Sequence, residues 1–435
     1  MSVTLALALL GSLSAVPQES DALLHEPLIL GPGPWSRVWY TADMHVHSFG
    51  CEAPIQSSQA LLNEMVASNT HVGNALIWGD SIAVDWHKFI GQPNDPVSTT
   101  DNILHWDIEI SAFPEAWHGH MMMINVSDPF AVWQAIPRWP GREYLLPNYA
   151  WAQSGGGLVG YAHGQFWTPG CFDFSSIDER APRALALDVA LQDVDFLSTE
   201  YVEYAGFYWL WYQMLDADFH LTPTAASDYL CLTKNLGRMQ TVFPLPANQR
   251  LTFSAYVDAL RRGATVIRHN TTPPDYLDLR VNNSELGSEL ALPAGPQLVR
   301  VAVEASSARN GAGLEVVING KVQASLPIDA MRTTYEWTVQ LDKSTWIAAR
   351  IVEPPGPKVR AHTAATVVRL NGCPIRNDPA SASNWVTYLD QYATAALASG
   401  PLISPSARKQ FRAQVQQAKA VWKSIAKGQA AGCAP

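Results

Sequence analysis

Hydrophobic positions between residues 36 and 270 form short apolar runs that alternate with helix-like stretches. Seven of these runs favour β-strands, at residues 38–47, 74–79, 107–111, 121–126, 157–163, 195–204 and 221–228. Helical periodicity occurs at 57–67, 146–154 and 207–219, and residues 254–263 predict a closing helix capped by Gly263. This alternation predicts an α/β fold built on a barrel or sheet of parallel strands.

The pattern changes after residue 275. Apolar and polar positions then alternate at residues 296–305, 313–326, 333–341, 344–352 and 362–370, as in strands with one buried face. Asn319-Gly320 stands between two such runs and predicts a hairpin. Residues 275–371 are therefore predicted to form a small antiparallel β-sandwich.

Residues 372–435 are predicted to form a helical C-terminal tail. In its second helix, Ser404 is placed to cap the N-terminus and Pro405 to occupy the first helical position. One apolar face of that helix carries Phe411, Val415, Trp422 and Ile425.

Composition and charge limit the classes of partner. The chain has 435 residues, of which 47% are hydrophobic and 16% charged, enough for a sizeable core in more than one domain. Its formal net charge is -10. Because an acidic protein is repelled by phosphates, the charge argues against nucleic acid and against an anionic membrane surface as partners.

Residues 1–16 contain a short apolar run followed by the small residues Ser12, Ser14 and Ala15. The run is too short to span a bilayer and predicts a secretory signal peptide, although it lacks a basic segment at its start. We therefore expect an exported protein, periplasmic or extracellular, with no membrane insertion after signal cleavage.

The five cysteines contain no CxxC pair, which argues against a structural zinc knuckle. In an exported protein, Cys373 and Cys433 are suitable partners for a disulfide that holds the tail. For Cys51, Cys171 and Cys231, the sequence is equally compatible with disulfide bonds and with unpaired buried thiols.

Residues able to carry chemistry lie at or near the ends of the predicted strands. His45 and His47 are two residues apart on a strand, so both imidazoles point to the same face. Further imidazoles and carboxylates follow at or beside later strand ends: Glu52, Asp80, Glu109, His118, His120, His163 and Asp228. Because barrel folds assemble their sites at strand ends, this series predicts a metal centre collected from distant parts of the chain.

The ordered series resembles the PHP (polymerase and histidinol phosphatase) superfamily, and within it the carbaryl-hydrolase-like CehA/McbA family. His45 and His47 match the opening histidine pair of that superfamily, and Glu52 matches the acidic residue that follows. The later ligands are matched in order by Glu109, His120, His163 and Asp228. The resemblance covers about residues 38–270, and the β-sandwich that follows fits a CehA/McbA-like architecture.

Two positions depart from the superfamily pattern. Asp80 stands where the second strand normally ends in a histidine, and Leu230 stands where the final Asp-x-His motif has its histidine. Leucine cannot bind a metal, so the third metal position of the superfamily is in doubt.

The resemblance implies a distorted (β/α)7 barrel over residues 36–270, followed by the β-sandwich and the C-terminal helices. It also implies a first ion held by His45, His47, Glu109 and Asp228, and a second held by Glu109, His120 and His163. A third ion would need Glu52, Asp80 and the histidine that Leu230 replaces. We therefore expect two divalent ions, of zinc, manganese or iron.

Two adjacent divalent ions favour hydrolysis because they lower the pKa of water and polarise a carbonyl or phosphoryl oxygen. We interpret the chain as a metal-dependent hydrolase that uses a metal-bound hydroxide on a small-molecule ester, carbamate, amide or phosphoester. His118 and Asp80 are the candidate catalytic residues, for proton transfer or substrate orientation. Arg238 is a candidate for stabilising developing negative charge.

An alternative interpretation is a non-catalytic exported binding protein on a degenerate PHP scaffold. Asp80 and Leu230, at two expected histidine positions, motivate it. Glu200 and Glu203 end a predicted strand near the expected site, where a supporting position and a surface position are equally compatible with the sequence.

Overall fold

The computed structural model describes residues 22–24, 28–31, 37–49, 51, 54–78, 89–111, 117–126, 153, 155–166, 168–192, 194–354, 358–399, 404–428 and 433. The predicted signal peptide at residues 1–16 and nearly all of the predicted helix at 146–154 lie outside the described residues. Each of the seven strand-like runs of the first region overlaps a strand.

Strands and helices are numbered here in chain order within the described residues. The strands are β1 Ala22–Leu24, β2 Leu28–Gly31, β3 Arg37–Val46, β4 Val72–Ile77, β5 Ile103–Ile110, β6 Met121–Ile124, β7 Leu158–Tyr161, β8 Phe196–Thr199, β9 Thr222–Ala225, β10 Met239–Pro246, β11 Val266–His269, β12 Tyr276–Val281, β13 Glu289–Leu292, β14 Gln297–Ser306, β15 Gly313–Ile318, β16 Lys321–Pro327, β17 Thr333–Leu341, β18 Thr345–Glu353, β19 Lys358–Thr363 and β20 Thr366–Leu370. The α-helices are α1 Ser58–Ala67, α2 Leu185–Leu191, α3 Ala205–Asp216, α4 Phe253–Arg261, α5 Pro379–Ser399 and α6 Pro405–Ala426.

The larger sheet is mixed, in the order β13-β20-β18-β19-β11-β10-β3-β4-β5-β6-β7-β8-β9, with β15 beside β18 and β16 beside β15. Strands β3, β4 and β5 are parallel, as are β7, β8 and β9, whereas β6 is antiparallel to both of its neighbours. The prediction of uniformly parallel strands is therefore wrong at β6. Residues 111–120, which join β5 to β6, are fewer than the dozen or more residues of a parallel crossover.

The two ends of the β3 to β9 part of this sheet meet at one bridge. Val46, the last residue of β3, pairs with Tyr229 in the loop after β9. The Tyr229 N–H donates to the His45 carbonyl at 3.0 Å, and the His47 N–H donates to the Tyr229 carbonyl at 3.2 Å. This pairing sets β3 and the loop after β9 side by side. The distorted (β/α)7 barrel itself stays a prediction.

Local sequence explains where the helices of this region begin and end. Ser57 caps α1 by accepting a hydrogen bond from Ala60 N–H, and Thr252 does the same for α4 through Ala255 N–H. Gly263, just beyond α4, has φ of +68°, the left-handed conformation that favours glycine after a helix. The predicted closing helix is therefore confirmed.

A second sheet has the order β1-β17-β14-β12, with β2 also beside β17. Its inner face and the β15, β18, β19 and β20 part of the larger sheet share an apolar core that includes Leu279, Val301, Trp337, Ile347 and Ile351. Asn319 and Gly320, with φ of 49° and 75°, form the predicted hairpin between β15 and β16. The pairing of β1 and β2 with β17 was not predicted.

The C-terminal tail forms two helices that pack on the first region. Ser404 caps α6 as predicted, and the apolar face of this helix is buried. Trp422 on this helix donates through Nε1 to the Ala186 carbonyl of α2 at 2.6 Å. The tail is therefore part of the core beside the metal-facing strands.

Two disulfides are present. Cys373–Cys433 joins the start of the tail to its end, as predicted. Cys51–Cys231 is a second disulfide, so unpaired thiols are the wrong interpretation for those two residues, while Cys171 is a free thiol. Two disulfides are compatible with an exported protein.

None of the helices in the described parts of the chain has the length and apolar character needed to cross a membrane.

Candidate metal centre

His45 and His47 lie at the C-terminal end of β3, and both side chains are buried. Because alternate residues of a strand share a face, the two rings meet, with Nε2 of His45 3.0 Å from Nε2 of His47. A neutral imidazole has one donor nitrogen and one acceptor nitrogen. At this separation the two Nε2 atoms share a proton or face a common cation.

Two carboxylates converge on the same pair of nitrogens. Glu109 on β5 places Oε1 3.5 Å from His45 Nε2 and Oε2 3.4 Å from His47 Nε2. Asp228, in the loop after β9, places Oδ1 3.4 Å from His45 Nε2 and 3.2 Å from His47 Nε2. Within the described residues this Oδ1 atom is buried, and the two imidazole nitrogens are the polar groups that face it without a well-aligned hydrogen bond. The structure therefore brings four side chains from three distant segments to one point.

His120 and His163 form a neighbouring group with Glu109. His120 Nδ1 is 3.2 Å from Glu109 Oε1, and the His120 and His163 ring centroids are 5.2 Å apart. One potential ligand atom from each of the three residues lies within 4.8 Å of the others. Glu109 is thus common to both groups, because its carboxylate stands between them.

The backbone at two of these residues is left-handed, a conformation that is uncommon for residues other than glycine. His163 has φ of 49° and Asp228 has φ of 50°. After His163, the Gly164 N–H donates to the Ser198 carbonyl at 2.6 Å, and a Cβ on Gly164 would lie 2.5 Å from that oxygen. The sharp turn at the end of β7 therefore requires glycine beside His163.

Asp43 ties β3 to the loop that carries Asp228. Its buried carboxylate accepts hydrogen bonds from the backbone N–H of Ser227 at 2.9 Å and of Gly237 at 2.7 Å, and from the Ser227 hydroxyl. Burial raises the pKa of Asp43, and these hydrogen bonds oppose that shift. Because Ser227 directly precedes Asp228, Asp43 positions the Asp228 carboxylate through the backbone.

Glu200, for which the sequence left a supporting and a surface position open, belongs to this site. It follows β8 and is 1% exposed. Its Oε2 lies 2.9 Å from His163 Nδ1, and its Oε1 lies 3.4 Å from His45 Nδ1. A carboxylate in this position accepts both Nδ1–H groups, so that each histidine presents Nε2 as an acceptor. Glu200 therefore links the two groups of ligands on the side opposite their shared carboxylate.

Burial is the largest single influence on the pKa of each of these groups, but their neighbours together outweigh it. Although burial lowers the pKa of His45, Asp228 and Glu109 raise it well above its usual value. Burial likewise opposes the charged form of His163, and Glu200 raises its pKa. Against burial, the histidines lower the pKa of Glu109 and of Asp228. The arrangement therefore favours positive charge among the carboxylates.

A divalent cation fits this donor set. With neutral histidines, the carboxylates of Glu109, Asp228 and Glu200 would leave three negative charges almost entirely out of water, which is costly. Atoms that bind one zinc-like ion at about 2.0–2.2 Å stand roughly 3–3.5 Å from each other. Contacts from the His45 and His47 nitrogens to each other and to the carboxylates are 3.0–3.5 Å. Mixed imidazole and carboxylate ligands suit several transition metals.

The remaining predicted residues stand apart from this cluster. Glu52 and Asp80 lie outside the described residues. His118 is buried against α5, where its Nδ1 is 2.5 Å from Tyr392 Oη, and burial lowers its pKa to about 3. Those contacts give His118 a packing role, and its part in proton transfer stays a prediction. Leu230 is buried beside the site and presents no ligand atom.

Glu203 and Arg238 lie farther out. Glu203 Oε2 is 2.7 Å from Nε2 of His269, at the end of β11. Burial raises the pKa of Glu203, but His269 and then Arg238 lower it to about 2 overall. Arg238 is exposed, so its side chain is placed near the rim and not within the ligand cluster.

A small cavity of about 80 Å³ opens beside His163. Its polar lining includes Arg180, whose guanidinium forms two hydrogen bonds to Asp178 at 3.0 and 3.1 Å. The cavity is lined by His163, Gln165, Asp178, Arg180, Ala181, Tyr201 and Leu232. On another side of the centre, the Trp78 ring lies 5.6 Å from the His47 ring between centroids. A ligand bound at the strand ends would therefore meet both polar and aromatic surface.

No family model matches this chain, and no curated protein matches it. Among solved structures, the N-terminal domain of PorA aligns with 22% of this chain and 98% of its own length, at 7% identity and a TM-score of 0.15. A likeness at that level carries no argument about function.

Proposed function

We propose that this protein is a metal-dependent hydrolase of the PHP superfamily, similar to the CehA/McbA family. The observation that carries the proposal is the pair of Nε2 atoms of His45 and His47, 3.0 Å apart and each within 3.5 Å of both Glu109 and Asp228. Two imidazole nitrogens and two carboxylates that converge this closely in a buried position are the donor set of a cation site, and the buried Asp228 Oδ1 forms no well-aligned hydrogen bond among the described residues.

Each residue of the site has a defined task in this proposal. One cation would be held by His45, His47, Glu109 and Asp228, and a second by Glu109, His120 and His163. Such cations supply Lewis acidity, which makes water a nucleophile near neutral pH and polarises a substrate oxygen. Glu200 accepts hydrogen bonds from the Nδ1–H groups of His45 and His163, which leaves their Nε2 atoms available to bind a cation.

The surroundings favour a small substrate with an acceptor group. Arg180 and Tyr201 line the cavity beside His163 and offer donors to an ester, carbamate, amide or phosphoester oxygen. Trp78 provides an apolar surface beside His47. Burial of the cluster limits competing water, which strengthens electrostatic interactions at the reacting bond.

Metal analysis and hydrolysis assays together test the proposal. The purified protein, loaded with zinc or manganese, is expected to retain between one and two ions per chain. It should hydrolyse p-nitrophenyl acetate or p-nitrophenyl phosphate in a chelator-sensitive manner. Replacing His45 and His47 by Ala should remove the ion that they hold and lower the rate by more than about 100-fold, since even the outer partners of metal ligands contribute 10–100-fold.

A matched control is His220→Ala, because His220 lies on the surface near Asp218 and Glu289, away from the cluster. This variant should keep its metal and its activity. Fewer than about one ion per chain after loading would contradict the proposal and favour the non-catalytic binding protein. Bound metal with no hydrolysis of either ester would contradict the proposed hydrolytic activity and would leave the proposed metal binding intact.

A further inference from the structure

The Cys51–Cys231 disulfide lies beside the ligands of the metal centre. Cys51 follows β3 and its histidine pair, and Cys231 follows Asp228 in the loop after β9. The two residues are 180 positions apart in the chain and have their Cα atoms 5.0 Å apart. This bond therefore ties together the two segments that supply His47 and Asp228.

Cys231 lies within reach of the ligand atoms themselves. Its Sγ atom, a ring nitrogen of His47 and a carboxylate oxygen of Asp228 all lie within 4.8 Å of one another. Asp228 is 6% exposed, and its Oδ1 forms no well-aligned hydrogen bond among the described residues. Cys231 Sγ therefore stands beside two atoms of the kind that bind cations.

The loop geometry explains why sulfur reaches this point. Asp228 and Leu230 have φ of 50° and 75°, and the Leu232 N–H donates back to the Asp228 carbonyl at 2.8 Å. The chain therefore turns tightly after Asp228 and returns Cys231 toward the carboxylate. Leu230 offers no ligand atom, and Cys231 is the first cysteine, histidine or acidic residue after Asp228.

The second disulfide differs in both location and exposure. Cys51 is exposed, whereas Cys373 is 7% exposed and buried under the tail. None of the ligand groups found among the described residues includes Cys373 or Cys433. Cys231 and Cys433 are both partly exposed, so the two bonds differ in exposure at Cys51 and Cys373, and on that difference we expect a reductant in solution to reach the Cys51–Cys231 bond more readily.

We propose that the Cys51–Cys231 disulfide is a redox-controlled part of the metal centre, and that reduction gives Cys231 thiolate as a ligand beside His47 and Asp228. The inference rests on the metal centre of the proposed function. The S–S bond takes up two electrons and two protons from a dithiol, which becomes a disulfide, and two thiols form. Cys231 then releases its proton as its sulfur binds the cation. A soft sulfur ligand added to nitrogen and oxygen ligands shifts the preference of the centre toward softer metals.

Cobalt(II) spectroscopy of the full chain tests this inference, because thiolate–cobalt charge transfer absorbs in the near ultraviolet. Oxidised protein loaded with cobalt should show only the visible bands of nitrogen and oxygen ligation. Reduction with a phosphine, which is oxidised to its oxide, followed by desalting, should add the near-ultraviolet band. The variant Cys51→Ser should show that band without reductant, and Cys231→Ser should not show it in either state.

A Cys373→Ser/Cys433→Ser variant is the matched control and should behave as the parent in both states. Cys171 is a free thiol in every preparation, so the oxidised parent already accounts for it. Visible cobalt bands without a charge-transfer band, in both the reduced parent and Cys51→Ser, would overturn the inference and leave the proposed function intact. Absence of any cobalt band in the oxidised parent would instead count against the proposed function.

Discussion

His362 on β19 and His45 on β3 are both 0% exposed, yet their surroundings differ in kind. His362 Nε2 accepts a hydrogen bond from Tyr212 Oη at 2.6 Å, and its Nδ1 donates to the Thr363 carbonyl at 2.7 Å. Burial lowers the pKa of His362 to about 3. This histidine is neutral, and both of its nitrogens have partners.

The cluster around His45 lacks that balance. His45 Nε2 faces another imidazole nitrogen and two carboxylates. Burial lowers the pKa of His45, but Asp228 and Glu109 raise it above its usual value. Both histidines lie on strands of the same sheet, so secondary structure and burial do not separate them. What separates them is whether the surrounding protein supplies a complementary donor or acceptor for each nitrogen.

The largest effect is expected from replacing Glu200, which contacts His45 and His163 in the candidate metal centre. In Glu200→Gln only one oxygen remains to accept a histidine N–H, so one of His45 and His163 loses its partner. We expect metal affinity to fall about 10–100-fold, as for other carboxylates that orient histidine ligands. Competition titration with a coloured zinc chelator measures this loss.

Glu203→Gln is the matched control, because Glu203 also follows β8 but pairs with His269 away from the ligands. Its metal affinity should equal that of the parent. An unchanged affinity in Glu200→Gln would mean that Glu200 is only a buried ion-pair partner.

A pH-dependent effect on stability is expected outside the ligand cluster, at Asp216 of α3. Burial raises the pKa of Asp216 to about 6, although Trp346 Nε1 and Asn377 Nδ2 donate to it. The folded state therefore holds a proton that the unfolded state has lost, and stability falls as pH rises from about 4 to about 6. Asp216→Asn removes this loss and should be more stable than the parent by about 2 kcal/mol at pH 7.5.

Urea unfolding at pH 4 and at pH 7.5 checks the sign. Parent and variant should be similar at the lower pH and diverge at the higher one. A constant difference at both values would show that Asp216 stays ionised in the folded protein down to pH 4.

The smallest effect is expected for His362→Gln. Glutamine can still accept from Tyr212, so we expect a loss of only about 1 kcal/mol of unfolding free energy, typical of one altered hydrogen bond. Metal content and hydrolysis should stay at the parental level. If bound metal falls together with stability, the separation of the two histidine environments is wrong.

Much of the site could be predicted because its signals are local. The period of two in a strand fixes a shared face for His45 and His47, and strand ends locate Glu109, His163 and Asp228 near them. The hairpin at Asn319 likewise follows from the conformational preferences of two adjacent residues. Such features depend on the nearest few positions and hardly on the rest of the chain.

Glu200 shows where this approach stops. A carboxylate just after a strand can point inward or outward, and the choice depends on how β8 lies beside β7 and β3. The direction of β6, the Cys51–Cys231 pairing and the docking of β1 and β2 on β17 also depend on contacts between distant segments. Hydrophobic periodicity contains no information about those partners.

The pairing of β11 with β19 has a consequence for any attempt to divide the chain. Val266, Ile267 and Arg268 of β11 face Thr363, His362 and Ala361 of β19, so the sheet runs without interruption from the ligand-bearing strands into the C-terminal half. A fragment truncated after residue 274 would expose the backbone edge of β11 to solvent and to other copies of itself. Expression of residues 1–274 alone should therefore give aggregates, and transplanting this region as a self-contained module would require capping that edge.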